Sequence, residues 1–304
     1  MRPLAVAAAL FLLAACSRAG PQPRPQGDAA PPASQTGGFD GQRAWNDLLR
    51  LVSFGPRPPG SENLKRARAY IVSQLEAAGC AVEVQPFHAQ TPIGTLPMAN
   101  VIARSGKPDG GLILLLTHYD TLRLENFVGA DDGASSSAVM LELARQLCRA
   151  SLPTAVWIAF LDGEEAQVQW SDTDSLYGSR ELAARLALSG DLRRVRAVLL
   201  ADMVGDRDLE ILREENSTPW LTDLVWSVAR RLGYGRYFLD RSQAVEDDHL
   251  PFLRRGVAAV DLIDFDYPYW HTPADTPDKC SARSLAIVGH VLLETVRELA
   301  RRPS

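Results

Sequence analysis

Two adjacent carboxylates stand at the end of an apolar run, in the sequence Phe160-Leu161-Asp162-Gly163-Glu164-Glu165. The segment from Leu152 to Leu161 has the composition of a buried strand, rich in Val, Ile, Phe and Trp. Neighbouring side chains at a strand end point in different directions, so one acid can bind a cation while the next transfers a proton. A polar loop that merely ends the strand would have the same sequence, so the pair alone leaves both interpretations open.

Acids and histidines also follow three other apolar segments. These residues are His118 and Asp120, then Asp202, and then His271. The carboxyl ends of parallel strands meet at one edge of a sheet, and ligands bind beyond that edge. Carboxylate and imidazole are typical ligands of a catalytic zinc site, in contrast to the thiolates of a closed structural site. The sequence therefore predicts a zinc site whose candidate ligands are His118, Asp132, Glu165, Asp202 and His271.

The surroundings of these candidates give further expectations. Asp132 lies in a turn of small residues, Gly129-Ala130-Asp131-Asp132-Gly133-Ala134-Ser135-Ser136, where the backbone can fold closely about an ion. Asp120 is expected to orient His118. His249 is expected either to contact the substrate or to begin a surface helix.

The elements that must position these residues alternate between helices and apolar strands. Helical patterns follow Asp40 and Ser61 and recur at Ser135–Arg149, Ser179–Leu188, Thr218–Leu232 and Ser281–Arg301. Strand patterns occur at Ala81–Phe87, Ala99–Ala103, Leu112–Thr117, Thr154–Leu161, Arg196–Met203 and Gly256–Ile263. The continuous apolar runs are typical of strands covered on both faces. The sequence therefore predicts an α/β fold, a single domain with a mostly parallel mixed central sheet flanked by helices on both faces.

The N-terminus has the pattern of an export signal. The basic start Met1-Arg2 precedes an apolar run that ends in Leu13-Ala14-Ala15-Cys16. This arrangement resembles the bacterial lipoprotein signal, in which Cys16 would carry the lipid. The alternative is an ordinary cleaved signal with a cysteine there by chance.

Three regions follow from this pattern and from composition. We expect a lipoprotein signal peptide at 1–16, a disordered Pro/Gly-rich tether at 17–38 and the catalytic domain at 39–304. The protein is then expected to be exported and lipid-anchored in the bacterial cell envelope, on the periplasmic side or in the outer membrane. The net charge of −5 argues against a nucleic-acid partner. A monomer is expected.

Three cysteines follow the signal, Cys80, Cys148 and Cys280. They show no Cys-x-x-Cys spacing, so a thiolate zinc site is not expected. Because their number is odd, at most one disulfide forms among them, and the sequence does not select the pair.

Five segments together resemble the zinc aminopeptidase superfamily. They are Thr117-His118-Tyr119-Asp120, Gly129 to Ser135, Asp162-Gly163-Glu164-Glu165, Asp202-Met203-Val204-Gly205 and Trp270-His271-Thr272-Pro273. Their order and approximate spacing match over essentially the whole chain after residue 40. In two-metal relatives His118 would be a ligand.

Within that superfamily, Trp170–Arg180 and Glu246–Gly256 resemble the glutaminyl cyclases of animals. This resemblance implies one zinc ion, bound by Asp132, Glu165 and His271. It also implies roles for the residues around the ion. Glu164 would be the proton shuttle, with Asp202 and Asp247 as its hydrogen-bonded partners. Trp170 and Trp270 would be pocket walls, Tyr267 would loosely replace a pocket aromatic, and His118 would lie behind the metal ligands.

The chain departs from the animal cyclases at two positions near the site. Asp261 stands where those enzymes carry a histidine after the apolar core of the last strand, and the loop from Asp264 to Tyr269 is slightly shorter. The cysteine pair that flanks their metal loop is also absent, since Thr117 occupies one of its places.

The expected activity is therefore conversion of N-terminal glutamine of peptides and proteins to pyroglutamate with release of ammonia. The alternative is an aminopeptidase with two zinc ions, in which Glu164 activates water and His118 and Asp202 bind the second ion. A third alternative, a lipoprotein that only binds metal or peptides, would leave Glu164 without a role.

Overall fold

Four apolar strands form the parallel centre of the sheet in this computed structural model, which describes residues 28–106 and 111–302. The strands are β1 (Ala81–Thr91), β2 (Gly94–Ser105), β3 (Leu112–His118), β4 (Ala155–Leu161), β5 (Val195–Asp202), β6 (Ile211–Glu214), β7 (Phe238–Gln243) and β8 (Ala259–Ile263). The helices are α1 (Gly41–Val52), α2 (Glu62–Ala77), α3 (Ala134–Leu147), α4 (Tyr177–Ser189), α5 (Pro219–Arg231), α6 (Leu250–Leu253) and α7 (Ala282–Arg301).

The main sheet has the strand order β1-β2-β4-β3-β5-β8. Strands β4, β3, β5 and β8 are parallel, while β1 and β2 form an antiparallel hairpin at one side. Strands β6 and β7 form a separate two-stranded parallel sheet. The predicted mostly parallel mixed sheet is confirmed, and its parallel strands end at a common edge.

Alternate side chains of the central strands enter two different hydrophobic clusters. On one face, Ile113 and Leu115 of β3 pack with α1, α2, α3, α5 and α7. On the other face, Leu112, Leu114 and Leu116 pack with α4 and α6. The period of two residues along a strand produces this division, and it confirms helices on both faces.

Five elements are markedly shorter in the sequence prediction or absent from it. The β1–β2 hairpin extends well beyond the predicted Ala81–Phe87 and Ala99–Ala103, because its outer part is exposed and lacks an apolar pattern. Strands β6 and β7 carry charged residues such as Arg213 and Asp240, so they lack the apolar run that predicts a strand. Helix α6 spans only four residues.

The domain begins earlier than predicted. Residues 28–38 were expected to belong to the tether, yet Thr36 is fully buried, and its hydroxyl donates to the carbonyl of Phe39 at 2.6 Å. The backbone N–H of Arg283 donates to the carbonyl of Asp28 at 3.1 Å. A short helical turn therefore closes over α7 although its composition is that of a linker. The predicted signal at 1–16, with Cys16, and residues 17–27 lie outside the described residues.

One disulfide joins Cys80, directly before β1, to Cys148 at the end of α3, and it closes a separation of 68 residues. Cys280 is buried with a free thiol. This answers the question of pairing that the sequence left open. Among the described residues, every helix is too short or too polar to cross a lipid bilayer.

Candidate active site

A cavity of about 510 Å³ opens at the carboxyl ends of the parallel strands. Its polar lining includes Asp132, Glu164, Glu165, Asp202, Asp247 and His271. Its apolar lining includes Val168, Trp170, Met203, Val245, Phe265 and Trp270. Six of the residues that the sequence singled out for chemistry therefore share one cavity, which lies at the edge where such sheets bind their ligands, whereas His118 does not line it.

The two adjacent acids are held at a sharp corner after β4. Gly163 has a φ of 75°, and a Cβ there would lie 2.6 Å from Met98 Sδ, so only glycine fits. The carboxylate of Asp120 accepts the backbone N–H groups of Glu164 at 3.2 Å and Glu165 at 3.3 Å. Asp120 Oδ1 also lies 3.5 Å from His118 Nδ1, so Asp120 orients the corner as well as His118.

Asp132, Glu165 and His271 bring three ligand atoms together. His271 Nε2 lies 3.4 Å from Asp132 Oδ2 and 3.2 Å from Glu165 Oε2. Both oxygens are buried, and neither has a hydrogen-bond partner of good geometry in the described part of the chain. Buried acceptors left in this way are costly unless a cation takes the place of a donor. The carboxylate and imidazole donors and their convergence fit a zinc ion.

The loop that carries Asp132 is fixed by Asp275. Its carboxylate accepts the backbone N–H of Asp131 at 2.8 Å and that of Asp132 at 3.1 Å. His271 adopts a φ of 52°, an unfavourable conformation for a residue with a side chain, and the ring of Trp270 stacks on it at 4.1 Å. The arrangement of ligands is therefore imposed by the surrounding structure, with local strain at His271.

His118, Asp132 and Asp202 form a second group of ligand atoms. His118 Nε2 donates to Asp202 Oδ1 at 3.0 Å and lies 3.3 Å from Asp132 Oδ1. Asp132 thus belongs to both groups through different oxygens. Unlike the first group, the second already contains a good hydrogen bond between two of its members.

Electrostatics in the ligand group favour a cation. Burial and the neighbouring charge of Asp132 raise the pKa of Glu165 to about 7. Burial opposes protonation of His271, but the carboxylates of Asp132 and Glu165 raise its pKa to about 10. Burial also acts to raise the pKa of Asp132, yet its interactions with His118 and His271 hold that pKa below the ordinary value. The group draws positive charge towards itself.

Glu164 lies beside the ligand group and is 6% exposed. Burial raises its pKa well above the ordinary value, and the charges of Glu165 and Asp247 raise it further. A carboxyl group that holds its proton more tightly than usual can both accept and return a proton near neutral pH.

Asp202 and Asp247 line the cavity beside Glu164 from different elements. Asp202 ends β5, and its Oδ1 accepts the N–H of Met203 at 2.8 Å in addition to His118. Asp247 precedes α6, and its Oδ1 accepts the N–H of Asp248 at 2.5 Å. No donor in the described residues reaches Asp247 Oδ2, which is buried.

Two tryptophans line the cavity as expected, and one predicted pocket residue does not. Trp170 donates its indole N–H to Glu246 at 3.0 Å, and Trp270 is 42% exposed at the mouth. Tyr267 is buried, and its hydroxyl donates to Asp275 at 2.7 Å, so its prediction as a pocket wall is corrected. Phe265 lines the cavity instead, 4.8 Å from Trp270 between ring centres.

His249 meets neither expectation drawn from the sequence. It is fully buried, so it does not begin a surface helix, and it is absent from the cavity lining. Its Nε2 donates to Glu214 Oε2 at 3.0 Å. Sequence reasoning missed Glu214 altogether, since β6 carries no apolar pattern, and it missed Phe265, although its place in an aromatic loop was a usable signal.

Comparisons with known proteins agree with this geometry. A model of peptidase family M28 matches residues 100–296. A mouse protein named glutaminyl-peptide cyclotransferase-like protein is 35% identical over 272 residues, which cover 79% of this chain and 71% of the mouse protein.

Solved structures show the same likeness. A crystal structure of a glutaminyl cyclase from an Acidobacteriales bacterium superposes with a TM-score of 0.81 at 41% identity, covering 93% of this chain and all of the other. A zinc-dependent exopeptidase from Parabacteroides distasonis superposes with a TM-score of 0.78 at 26% identity, covering 87% of this chain and 99% of the other.

Proposed function

Because this chain belongs to peptidase family M28, we propose that it is a zinc-dependent glutaminyl-peptide cyclotransferase. Its substrates would be peptides and proteins with N-terminal glutamine, which it would convert to pyroglutamate with release of ammonia. The observation that carries the proposal is the likeness to glutaminyl cyclases over 93% of the chain. The group of unpartnered buried oxygens in the cavity supports it.

Asp132, Glu165 and His271 would hold one zinc ion. When bound, the ion would supply Lewis acidity that polarises the γ-carbonyl of the substrate glutamine. Support for a single ion comes from the contrast between the two ligand groups. In the described part of the chain the oxygens facing His271 have no hydrogen bond of good geometry, whereas His118 and Asp202 are already hydrogen-bonded to each other.

Glu164 would move the proton that the reaction requires. The α-amine nitrogen forms a bond to the γ-carbon, and the bond from that carbon to the amide nitrogen breaks. Glu164 would take a proton from the α-amine and return it to the leaving nitrogen, which departs as ammonia. Its raised pKa suits both halves of this transfer.

The remaining lining residues would position the substrate and the shuttle. Asp202 and Asp247 stand beside Glu164 and would stabilise the positive charge that develops on the amine. Trp170 and Trp270 would exclude water from the glutamine side chain. Because ring closure is intramolecular, a fixed conformation of the substrate supplies much of the acceleration.

The alternative is an aminopeptidase with two zinc ions. The observation that favours it is the second ligand group, in which Asp132 could bridge two ions through its two oxygens. A likeness at 26% identity to a zinc-dependent exopeptidase gives it further weight.

One experiment separates the two functions. The purified full chain is incubated with a Gln-initiated peptide and, separately, with Leu-p-nitroanilide, and bound zinc is counted. Ammonia release without loss of a residue, with one zinc per chain, is the expected result. The same peptide with an acetylated α-amine is the control, since it has no nucleophile for ring closure. Release of nitroaniline with two zinc ions per chain would instead establish the aminopeptidase.

We propose further that the protein is a monomer, exported and anchored to the cell envelope by a lipid on Cys16. The disulfide between Cys80 and Cys148 supports export, because disulfides persist in oxidising compartments. Expression in a bacterium with labelled fatty acid should label the wild-type chain but not Cys16→Ser, and the variant should leave the membrane fraction. Equal labelling of both chains would refute the anchor.

A further inference from the structure

We propose that Glu214 is a positioning residue for Asp247, since its two carboxylate oxygens hold the chain on both sides of that acid. The inference rests on the proposed function, in which Asp247 assists the proton shuttle Glu164. It adds a residue outside the cavity, on a strand that is not part of the main sheet.

Glu214 ends β6 and is 3% exposed, yet its carboxylate is fully used. Oε1 accepts the backbone and side-chain N–H groups of Asn216, at 2.9 and 2.8 Å, and the backbone N–H of Val245 at 3.2 Å. Oε2 accepts the N–H and hydroxyl of Ser217, at 2.7 and 2.8 Å, and His249 Nε2 at 3.0 Å. Six donors therefore converge on one buried carboxylate.

Two of these donors flank Asp247 symmetrically. Val245 lies two residues before Asp247, and His249 lies two residues after it. The carbonyl of Val245 is tied as well, because it accepts the side-chain N–H of Asn216 at 3.2 Å. The segment from 245 to 249 is thus fastened at both ends to the same acid.

Asp247 depends on this support because few hydrogen bonds hold its own side chain. Its Oδ1 accepts the N–H of the next residue, Asp248, no donor of good geometry in the described residues reaches Oδ2, and a further side-chain contact is with the carboxyl group of Asp261. Its carbonyl accepts the N–H of Leu250 at 2.9 Å, which begins α6. The direction of the carboxylate into the cavity therefore depends on the backbone, and Glu214 fixes that backbone.

The same carboxylate reaches a third segment. Ser217 Oγ, which donates to Glu214, accepts the backbone N–H of Asp261 in β8 at 3.0 Å. The charge of Asp261 is the largest neighbouring charge acting on Asp247. Glu214 therefore also contacts, through Ser217, the strand that carries Asp261.

The ionised state of Glu214 is favoured. Burial acts to raise its pKa, but the hydrogen bonds from His249, Asn216 and Ser217 lower it to about 2. The carboxylate is then a permanent acceptor over the range in which the enzyme would work. Glutamine in its place would put an NH2 group, which cannot accept a hydrogen bond, where three of the present donors need an acceptor.

The test is a double-mutant cycle between Glu214→Gln and Asp247→Asn, measured by ammonia release from a Gln-initiated peptide. We expect Glu214→Gln alone to lower kcat on the order of 10- to 100-fold, with a smaller change in KM and an unchanged zinc content. In the Asp247→Asn background the same substitution should change kcat by less than about 3-fold, because the group that it positions is already lost.

Glu215→Gln is the matched control, the same chemical change at the next residue, which is exposed. It should leave kcat and KM at the wild-type values. If Glu214→Gln does not fold, His249→Gln and His249→Ala replace it. Glutamine keeps an N–H that can reach Glu214 and should retain most of kcat, whereas alanine should not.

Two results would overturn the inference. The first is an equal loss of kcat from Glu214→Gln in both backgrounds, and the second is equal activity of His249→Gln and His249→Ala. Failure of the proposed function looks different. In that case the wild-type chain itself releases no ammonia, and the cycle can be repeated on nitroaniline release.

Discussion

Two sets of buried acids differ in how the fold satisfies them: one shares the cavity with Asp247, and the other bonds to residues that flank Asp247 in the chain. Around His271, Asp132 Oδ2 and Glu165 Oε2 are buried without a hydrogen bond of good geometry in the described residues. Around His249, Glu214 is just as buried but accepts from six donors. The first group is destabilising in the absence of a cation, and the second is stabilising.

The contrast separates chemistry from support within one site. Buried acids without good hydrogen bonds raise the free energy of the folded apo-protein, and binding of a metal ion or a substrate proton lowers it. Such acids therefore take part in the reaction. A satisfied buried acid does the opposite, since it holds its neighbours in place and is unavailable to a ligand. Substitutions that neutralise members of the two groups should therefore both lower activity but have opposite effects on the stability of the apo-protein.

The largest effect is expected at Glu165. Glu165→Gln removes one ligand charge, so the zinc content and the ammonia release should both fall below detection. The free energy of unfolding in EDTA should stay equal or rise, because burial already raises the pKa of Glu165 to about 7 and the folded apo-protein gains from a neutral side chain. Metal analysis and urea unfolding test both halves. A clear loss of apo-protein stability would place Glu165 with the supporting acids.

The second-largest loss of activity is expected at Glu164. Glu164→Gln should lower kcat about 10³-fold, equivalent to about 4 kcal/mol, while zinc stays bound. The matched control is Glu125→Gln at an exposed position, which should keep wild-type kcat. Retained turnover in Glu164→Gln would remove Glu164 from the reacting group.

The sequence was sufficient for the first group and insufficient for the second. His118, Asp132, Glu164, Glu165 and His271 lie at the ends of apolar strands or in a turn of small residues, so periodicity and local composition locate them. Glu214 lies in a short charged strand, and its contacts with Val245 and His249 cross more than 30 residues of chain. Such partners are set by tertiary packing, which a local pattern does not contain.

Tyr267 illustrates the same limit. The resemblance to the animal cyclases implies that it loosely replaces a pocket aromatic, but the loop turns its hydroxyl inward to Asp275. Phe265 lacks a hydroxyl to satisfy and faces the cavity. The choice between two aromatics in one loop depended on a buried acceptor eight residues further along the chain, whose position relative to the loop is set by the folded structure.

In contrast to Glu165→Gln, Glu214→Gln should lower the stability of the apo-protein. Loss of the buried charge leaves several donors without an adequate acceptor, so the free energy of unfolding at neutral pH should fall by about 2–4 kcal/mol. Glu215→Gln should change it by less than about 0.5 kcal/mol, as expected of an exposed position. Urea unfolding of the two variants in EDTA tests this, and equal stabilities would erase the distinction between the two groups.

The dependence of the free energy of unfolding on pH should reveal the contribution of Glu214. Its pKa is about 2 in the folded chain against a reference value of 4.5, so it contributes stability above pH 4.5 that is lost as the pH falls towards 2. The full contribution is about 3 kcal/mol. Urea unfolding between pH 3 and pH 7 should therefore show a shallower acid loss for Glu214→Gln than for the wild type. Parallel profiles would show that this carboxylate is not the one that titrates.

The smallest effect is expected at Asp261, which belongs to both groups. Its backbone N–H bonds to Ser217 in the Glu214 network, whereas neither carboxylate oxygen has a hydrogen bond of good geometry in the described residues, and Oδ2 lies 4.0 Å from His249 Nδ1. Burial raises its pKa, and the charges of Asp202 and Glu214 raise it further. An acid whose pKa is raised on folding contributes stability below its unfolded pKa and loses it as the pH rises.

Asp261→Asn keeps the backbone bond and removes the charge, so it should leave the free energy of unfolding nearly unchanged at pH 4 and raise it at pH 8. Urea unfolding at the two pH values, in EDTA, measures the difference. Asp208→Asn, at an exposed acid, should give the same small change at both values. A loss of more than about 1 kcal/mol in the free energy of unfolding at pH 8 would mean that the Asp261 carboxylate supports the fold. Asp261 would then belong with Glu214 rather than with the acids around His271.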